Sequence, residues 1–448
     1  MASVDTWRAA VCRHGLRAAA RLLPLVPRPW LYRAMRRRID DIPYEQGRVF
    51  ARRLIDAGRR LMSRVSPNCR RKAIDNFLVN NYVLGLPRRR AAQRDLGISA
   101  PYLLVVSPTM RCNLHCTGCY AGEYARDGDL PRDLLERLLA EARDLGTAFF
   151  TISGGEPFIR RDLLDVYRTF GDLYFQVYTN GTLIDDPLAA QLADLGNVFP
   201  AISVEGFEPE TDARRGKGTF AKILRAMASL KRHGVPFGFS ATATRANNDL
   251  VVSDAFVDFW ADQGCFLGWY FNYVPLGSTP DPDLMPTPEQ RVHRVRRLAE
   301  LRRSRDILLA DFWGDGPLVG GCMAAGRYYL HINVHGDVEP CVFVHFAVDN
   351  IRDKPLRDVL RSDFFSAIRD RQPFNANHLR PCMVLDNPQA LRKLVAASGA
   401  RPTHTGAASI LNELAPAMDA YAQRFAPLAD ACWDTYRDLD PEDARPNP

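Results

Sequence analysis

The sequence predicts an α/β protein built around a parallel sheet, and three observations carry that prediction. First, six short runs rich in apolar, β-branched and aromatic residues follow one another: Tyr102–Val106, Ala148–Ser153, Tyr174–Tyr178, Pro200–Val204, Phe237–Thr242 and Phe266–Val274. Second, helical patterns such as Pro131–Leu145, Pro187–Leu195 and Phe220–His233 lie between them. Strands alternating with helices give a parallel sheet with right-handed crossovers. Third, the residues with the most chemistry stand just after these runs, and barrel-like α/β folds collect ligands at the carboxyl ends of their strands.

After the first run comes Arg111-Cys112-Asn113-Leu114-His115-Cys116-Thr117-Gly118-Cys119-Tyr120. Thiolates are soft ligands suited to iron–sulfur clusters, and a cubane normally takes four of them. Three in one short loop can hold three irons and leave the fourth open to a small molecule. A structural zinc site would need a fourth ligand; His115, between two of the cysteines, is awkwardly placed to complete a tetrahedral cage. Disulfides do not fit, because nothing in the chain reads as secreted.

The second run ends in Gly154-Gly155-Glu156-Pro157. Glycines permit close backbone approach, and Glu156 offers an acceptor for an ammonium group. The third run ends in Thr179-Asn180-Gly181-Thr182, and the fourth in Glu205-Gly206. The C-x3-C-x2-C loop followed by GGEP resembles the signature of the radical S-adenosylmethionine (SAM) superfamily. That resemblance implies a partial (β/α)6 TIM-like barrel. It also implies a [4Fe–4S] cluster on Cys112, Cys116 and Cys119, with SAM chelated by the open iron and cleaved reductively to a 5′-deoxyadenosyl radical. It implies that Gly154, Gly155 and Glu156 hold the amino group of SAM. Ser203 and Glu205 are expected at its ribose or methionine part, with Asn180, Arg214 and Arg215 as weaker candidates. The family usually has an aromatic residue before the third cysteine, against the adenine; here that place is Gly118, and Tyr120 follows instead.

Further on, Cys322 and Cys341 bracket Tyr328–Val334, His335-Gly336-Asp337 and Val338–Pro340, which read as a hairpin able to return one cysteine to the other. This resembles the opening half of the auxiliary-cluster domain called SPASM, or its shortened form, Twitch; the dense C-x2-C-x5-C-x3-C array of a full SPASM domain is absent. The resemblance implies a second [4Fe–4S] cluster on Cys322, Cys341 and Cys382, with His345, Asp386, His404 or the substrate as fourth ligand. Cys382 also reads as an ordinary buried thiol. Cys12, Cys69, Cys265 and Cys432 lack cluster spacing and read as core.

At 448 residues, 46% hydrophobic and 25% charged, the chain has the composition of a globular protein of about three domains. The expected division is a basic helical segment over 1–98, the barrel over 99–310, the auxiliary domain over 311–400 and a helical tail over 401–448. The net charge of +7 conceals an asymmetry: residues 1–97 hold 22 Lys and Arg against 7 Asp and Glu, a balance of +15. This segment reads as helices Trp7–Leu23, Pro29–Arg38, Tyr44–Arg64 and Pro67–Tyr82, either a cap on the barrel or a basic surface for anionic lipid or nucleic acid. No apolar run reaches the ~20 residues of a membrane span, and Leu22–Val26 is too short for a secretory core. The expected location is cytoplasmic, with contact at the inner membrane face.

The function expected is hydrogen abstraction from an unactivated carbon, with reducing electrons from a flavodoxin- or ferredoxin-type donor. Peptide-modifying members of the superfamily often carry a winged-helix module, and nothing strand-rich precedes residue 100. A lipid or isoprenoid chain therefore ranks first as substrate, ahead of peptide or RNA, since few aromatics are arranged for base stacking. From another class, a non-catalytic iron–sulfur scaffold or membrane-surface regulator stays open, though it would have no need of the GGEP turn.

Overall fold

The computed structural model describes residues 11–19, 22–97, 99–121, 128–276 and 280–438. Seven parallel strands follow in chain order: β1 (Leu103–Thr109), β2 (Phe149–Gly154), β3 (Tyr174–Thr179), β4 (Val198–Val204), β5 (Gly238–Ala243), β6 (Leu267–Asn272) and β7 (Leu308–Asp311). The first six are the runs expected from sequence. β7 is an addition: its four residues directly follow the helix Pro288–Ser304, so no separate strand signal stands out. The three helices expected between strands form as Arg132–Asp144, Asp186–Leu195 and Thr219–Arg232.

Strand alternation sorts the side chains into two sets. One face carries Phe150, Ile152, Phe175, Val177, Ile202, Phe239 and Tyr270, all buried under the outer helices. The other face points into the barrel. Tyr178 on β3 and Phe271 on β6, three strands apart, meet there edge to face at 5.7 Å, so the sheet curls around a lumen.

The hairpin expected around His335-Gly336-Asp337 is present as β8 (His331–Ile332) and β9 (Val338–Glu339), with Gly336 at φ +85°. It extends the barrel sheet, because β8 pairs in parallel with β1, placing Val105 beside His331. A buried chain of hydrogen bonds fixes this junction. His331 Nε2 lies 2.8 Å from Ser107 Oγ and His331 Nδ1 lies 2.6 Å from Glu339, while Thr403 Oγ1 donates to Glu339 at 2.5 Å. Burial pushes the Glu339 carboxyl up, but His331, His345 and the Thr403 hydrogen bond together more than offset this and leave it below the usual range. Thr403 follows β11 (Arg401–Pro402), which pairs antiparallel with β10 (Phe346–Ala347).

The N-terminal segment closes the opposite end of the barrel. Its helices include Arg28–Ala34, Glu45–Arg64, Pro67–Lys72, a π-helix over Ala73–Leu84, and Gly85–Leu96. Phe77 packs on Phe149 at 5.1 Å and on Tyr174 at 5.9 Å, and the Arg89 guanidinium lies 4.2 Å over the Tyr102 ring. Asn81 Oδ1 accepts from Ala148 N at 3.0 Å, and Asn76 donates to Leu173 O at 2.7 Å, so the cap also satisfies backbone groups at the strand starts. Several arginines are spent on ion pairs, Arg53 with Asp56 and Asp306 among them. Trp7 and the rest of residues 1–10, and the terminus beyond 438, lie outside the described residues. Among the described residues no helix is long and apolar enough to cross a membrane. The tail is the helix Ala415–Asp438, preceded by a short turn at Ala407–Leu411. Of the four cysteines expected in the core, Cys69, Cys265 and Cys432 are buried; Cys12 is partly exposed.

Candidate active site

The cysteine loop leaves the end of β1 and lies over the open mouth of the barrel, held by its neighbours. Gly155 N donates to Thr109 O at 2.9 Å, and Glu156 N to Arg111 O at 2.8 Å. A Cβ on Gly155 would stand 2.2 Å from Arg111 O, and one on Gly154 2.3 Å from Thr109 O. The two glycines therefore let the β2 turn press against the start of the loop. Glu156 is fully buried: its carboxylate accepts from Asn180 N at 2.7 Å, Thr179 Oγ1 at 2.8 Å and Phe158 N at 3.1 Å. Burial pushes its carboxyl up, and these hydrogen bonds only partly offset that. Of about four acceptor positions on a carboxylate, three are filled from within the chain. Its observed work is to brace β2 against β3.

Asn180 reaches the loop, donating to Asn113 Oδ1 at 2.8 Å and lying 4.0 Å from Cys112 Sγ. Arg215 Nη1 stands 4.0 Å from Cys116 Sγ. Glu205, expected at the ribose or methionine part, stands beside the cysteine loop in an ion-pair cluster. Its buried carboxylate pairs with Arg214 at 2.7 Å and Arg215 at 2.5 Å, and Arg214 donates to Thr117 O at 3.1 Å. Both arginines are mostly buried, not solvated surface charges, because Glu205 compensates them. Ser203, partly exposed, faces the lumen two residues before Glu205.

Tyr120 turns away from the loop. Its hydroxyl is 2.8 Å from Ser153 Oγ, and its ring packs on Phe343 at 6.0 Å and His345 at 6.2 Å. Gly118, at φ +66°, has no room for a side chain, since a Cβ would lie 2.6 Å from the Tyr273 ring. Tyr273, just past β6, thus occupies the space in which the family's aromatic residue is missing. Sequence reasoning passed over it because only the fold brings it to Gly118.

Burial pushes the thiols of Cys112 and Cys116 up, and the nearby arginines oppose this at Cys116. All three thiols of the loop remain partly exposed. Such a donor set, with Asn180 and Arg215 facing its sulfurs, suits a cluster carried by thiolates.

Cys322, Cys341 and Cys382 line one cavity of about 40 Å³ with Phe312, Trp313, Tyr329 and Phe343. One water needs roughly 10–15 Å³ of such volume. Tyr329 donates to Cys341 Sγ at 2.7 Å, Phe343 N at 3.4 Å, and Val384 N to Cys382 Sγ at 3.3 Å. Donors already aimed at sulfur fit thiolate ligands, and they are not what a merely packed thiol needs. Burial pushes the Cys382 thiol up to about 12 and Cys341 higher, so metal binding there would release protons. Of the expected fourth ligands, none lines the cavity. Asp386 accepts from Arg291 at 2.8 Å and from Cys382 N at 3.0 Å, while His345 pairs with His404 and lies 2.9 Å from Val342 O. Among the described residues, no three His, Cys, Asp or Glu side chains form a group that could hold a lone metal ion. A four-iron cube takes each thiolate on a different iron, so its sulfurs stand apart.

A parallel barrel with one cysteine trio at its mouth and a second in an appended domain defines a class: iron–sulfur enzymes that use SAM. Residues 106–247 match the radical SAM superfamily, and residues 322–383 match SPASM, an iron–sulfur cluster-binding domain. Mycofactocin maturase MftC of Mycolicibacterium smegmatis is 31% identical over 64% of this chain and 77% of its own. Fe-coproporphyrin III synthase of Methanosarcina barkeri is 26% identical (62% and 79%), and PqqA peptide cyclase of Ruegeria pomeroyi 27% (61% and 77%). The crystal structure of Streptococcus suis SuiB bound to precursor peptide SuiA shares the fold, with a TM-score of 0.55, 20% identity, and coverage of 67% of this chain and 75% of that one. The chain belongs to the radical SAM superfamily. It is an enzyme of [4Fe–4S] and SAM chemistry with an auxiliary iron–sulfur domain.

Proposed function

We propose that this enzyme modifies a peptide. Cys112, Cys116 and Cys119 hold the catalytic cluster, and Cys322, Cys341 and Cys382 the auxiliary one. The observation that carries the reading is that the two cysteine trios are joined through Phe343. That residue's ring packs on Tyr120, beside Cys119, and its backbone N–H meets Cys341. When bound, the catalytic cluster and SAM supply a radical able to take hydrogen from an unactivated carbon. The chain's own residues position the reactants. Asn180 and Arg215 steady the sulfurs, Tyr273 and Ser203 offer contacts for the adenosyl part, and Gly154 and Gly155 give the methionine end room beside the loop. Glu156 braces that turn from behind.

Peptide modification is supported by the likeness to PqqA peptide cyclase over 61% of this chain. The lipid or isoprenoid substrate expected from sequence loses its support, because the basic helices serve as the barrel's cap. Their outer face is a different matter. Leu22, Leu25 and Trp30 are 59, 77 and 66% exposed beside Arg33, Arg36, Arg37 and Arg38, which supports contact with an anionic surface. Electrons come from an external flavodoxin- or ferredoxin-type donor.

Comparative mass spectrometry of peptide and lipid extracts from cells with and without the protein tests the substrate class. A mass change in the peptide fraction is expected; a change confined to the lipid fraction would overturn the reading. With purified, reduced protein, SAM should yield 5′-deoxyadenosine, and the Cys112, Cys116, Cys119 triple alanine variant should yield none.

A further inference from the structure

The lumen-facing positions of β1–β7 follow from the strand pairing. Val105, Thr151, Gln176 and Phe199 form one row; Ser203, Ser240, Trp269 and Ala310 form another; Tyr178 adjoins Ala201, and Thr242 adjoins Phe271. No residue in these rows is charged. The charged groups nearest that face are already compensated: His331 and Glu339 of β8 and β9 hold each other beside Ser107 and Thr403, and Glu205, two residues past Ser203, holds Arg214 and Arg215.

Within this neutral chamber two donors lack partners. Gln176 is 3% exposed and its Nε2 has no hydrogen-bond partner; Trp269 is partly exposed as a residue, but its Nε1 is buried and likewise has none. Each sits two residues before a member of the Tyr178–Phe271 contact, one side-chain layer (about 6.6 Å) deeper on facing strands. Beneath them Phe149, Tyr174 and Phe77 seal the barrel. An unpaired buried donor is costly, so two on one floor call for an acceptor. A carboxylate would enter with no cation left over for it, since Arg214 and Arg215 are paired with Glu205, and burial penalises such a charge heavily. An uncharged carbonyl suits the floor, and the Tyr178 and Phe271 rings above suit an apolar side chain.

We propose that Gln176 and Trp269 form the floor of the substrate pocket and hydrogen-bond an uncharged amide carbonyl, with the attached apolar side chain against the Tyr178 and Phe271 rings, whose edge-to-face contact parts to admit it. The inference rests on the peptide reading and adds which part of a peptide enters. The test is binding to the anaerobically reconstituted enzyme with SAM, read by ligand-observed NMR. The probes are N-acetyl-L-phenylalaninamide, its free acid N-acetyl-L-phenylalanine, and N-benzylacetamide. The amide should bind at least tenfold more tightly than the acid, and Gln176→Leu and Trp269→Phe, each checked for unchanged iron content and near-UV dichroism, should weaken it about tenfold. Equal binding of acid and amide, no binding to the parent enzyme, or affinities unmoved by both substitutions would overturn the floor. Binding of N-benzylacetamide that depends on Gln176 and Trp269, without binding of the amino-acid amide, would retain the floor and overturn the peptide reading.

Discussion

Glu205 shows how much of this site is held by single buried charges. It compensates two guanidiniums, one facing Cys116 and the other gripping the loop backbone. Glu205→Gln leaves both arginines opposite a neutral amide, and breaking a buried pair this way costs about 3–5 kcal/mol. The urea midpoint should fall accordingly with little change in slope; a loss under about 1 kcal/mol would contradict this role. His345 makes a pH prediction. Burial pushes it down to about 4, against about 6.5 in the unfolded chain. The folded state therefore binds fewer protons between those values. The stabilisation is complete above pH ~6.5 and is lost as pH falls toward ~4, on the order of 3 kcal/mol in all. Urea unfolding at pH 7 and pH 5 should show the loss, and His345→Gln should reduce it; equal pH dependence in the two proteins would remove His345 as the cause.

At the scale of elements, the N-terminal helices serve two ends that one deletion cannot separate. Removing residues 1–97 would uncover Phe149, Tyr174 and Tyr102 at the barrel base, so the truncated chain should aggregate or unfold without cooperativity. Surface contact is better tested in the full chain with Arg33, Arg36, Arg37 and Arg38 changed to Gln. The parent protein should sediment with anionic vesicles and weaken with salt, as the Debye length falls from ~10 Å at 0.1 M to ~3 Å at 1 M. The fourfold variant should lose most of that binding, each basic residue near such a surface contributing about 1 kcal/mol before screening. Equal sedimentation of both proteins, or equal binding to neutral vesicles, would leave these helices as a cap alone. The strands were readable from sequence wherever an apolar run stood between turn signals. β7 was not, being four residues long, and neither was the docking of β8 on β1, which joins residues 224 apart in the Ser107–His331 contact.

For the whole molecule, what sequence showed of the site was its chemistry, and what it concealed was its long-range pairing. The Cys112, Cys116 and Cys119 trio announces itself because soft ligands at short spacing serve few other ends, while the second trio, spread from Cys322 to Cys382, shows only through the hairpin between its first two members. That Glu156 is consumed by the β3 turn, that Glu205 holds Arg214 and Arg215, and that Tyr273 fills the space at Gly118 all depend on contacts between distant segments. The uncharged lumen is likewise invisible until strand register sorts each residue to a face. The central claim is that two separate cysteine trios each hold a cubane, and iron counting in anaerobically reconstituted protein tests it most directly. The parent protein should hold about eight irons per chain. The Cys112, Cys116, Cys119 triple alanine variant should hold about four, as should the Cys322, Cys341, Cys382 variant. If the first variant retained only traces of iron, or the second lost none, the two-cluster account would be contradicted.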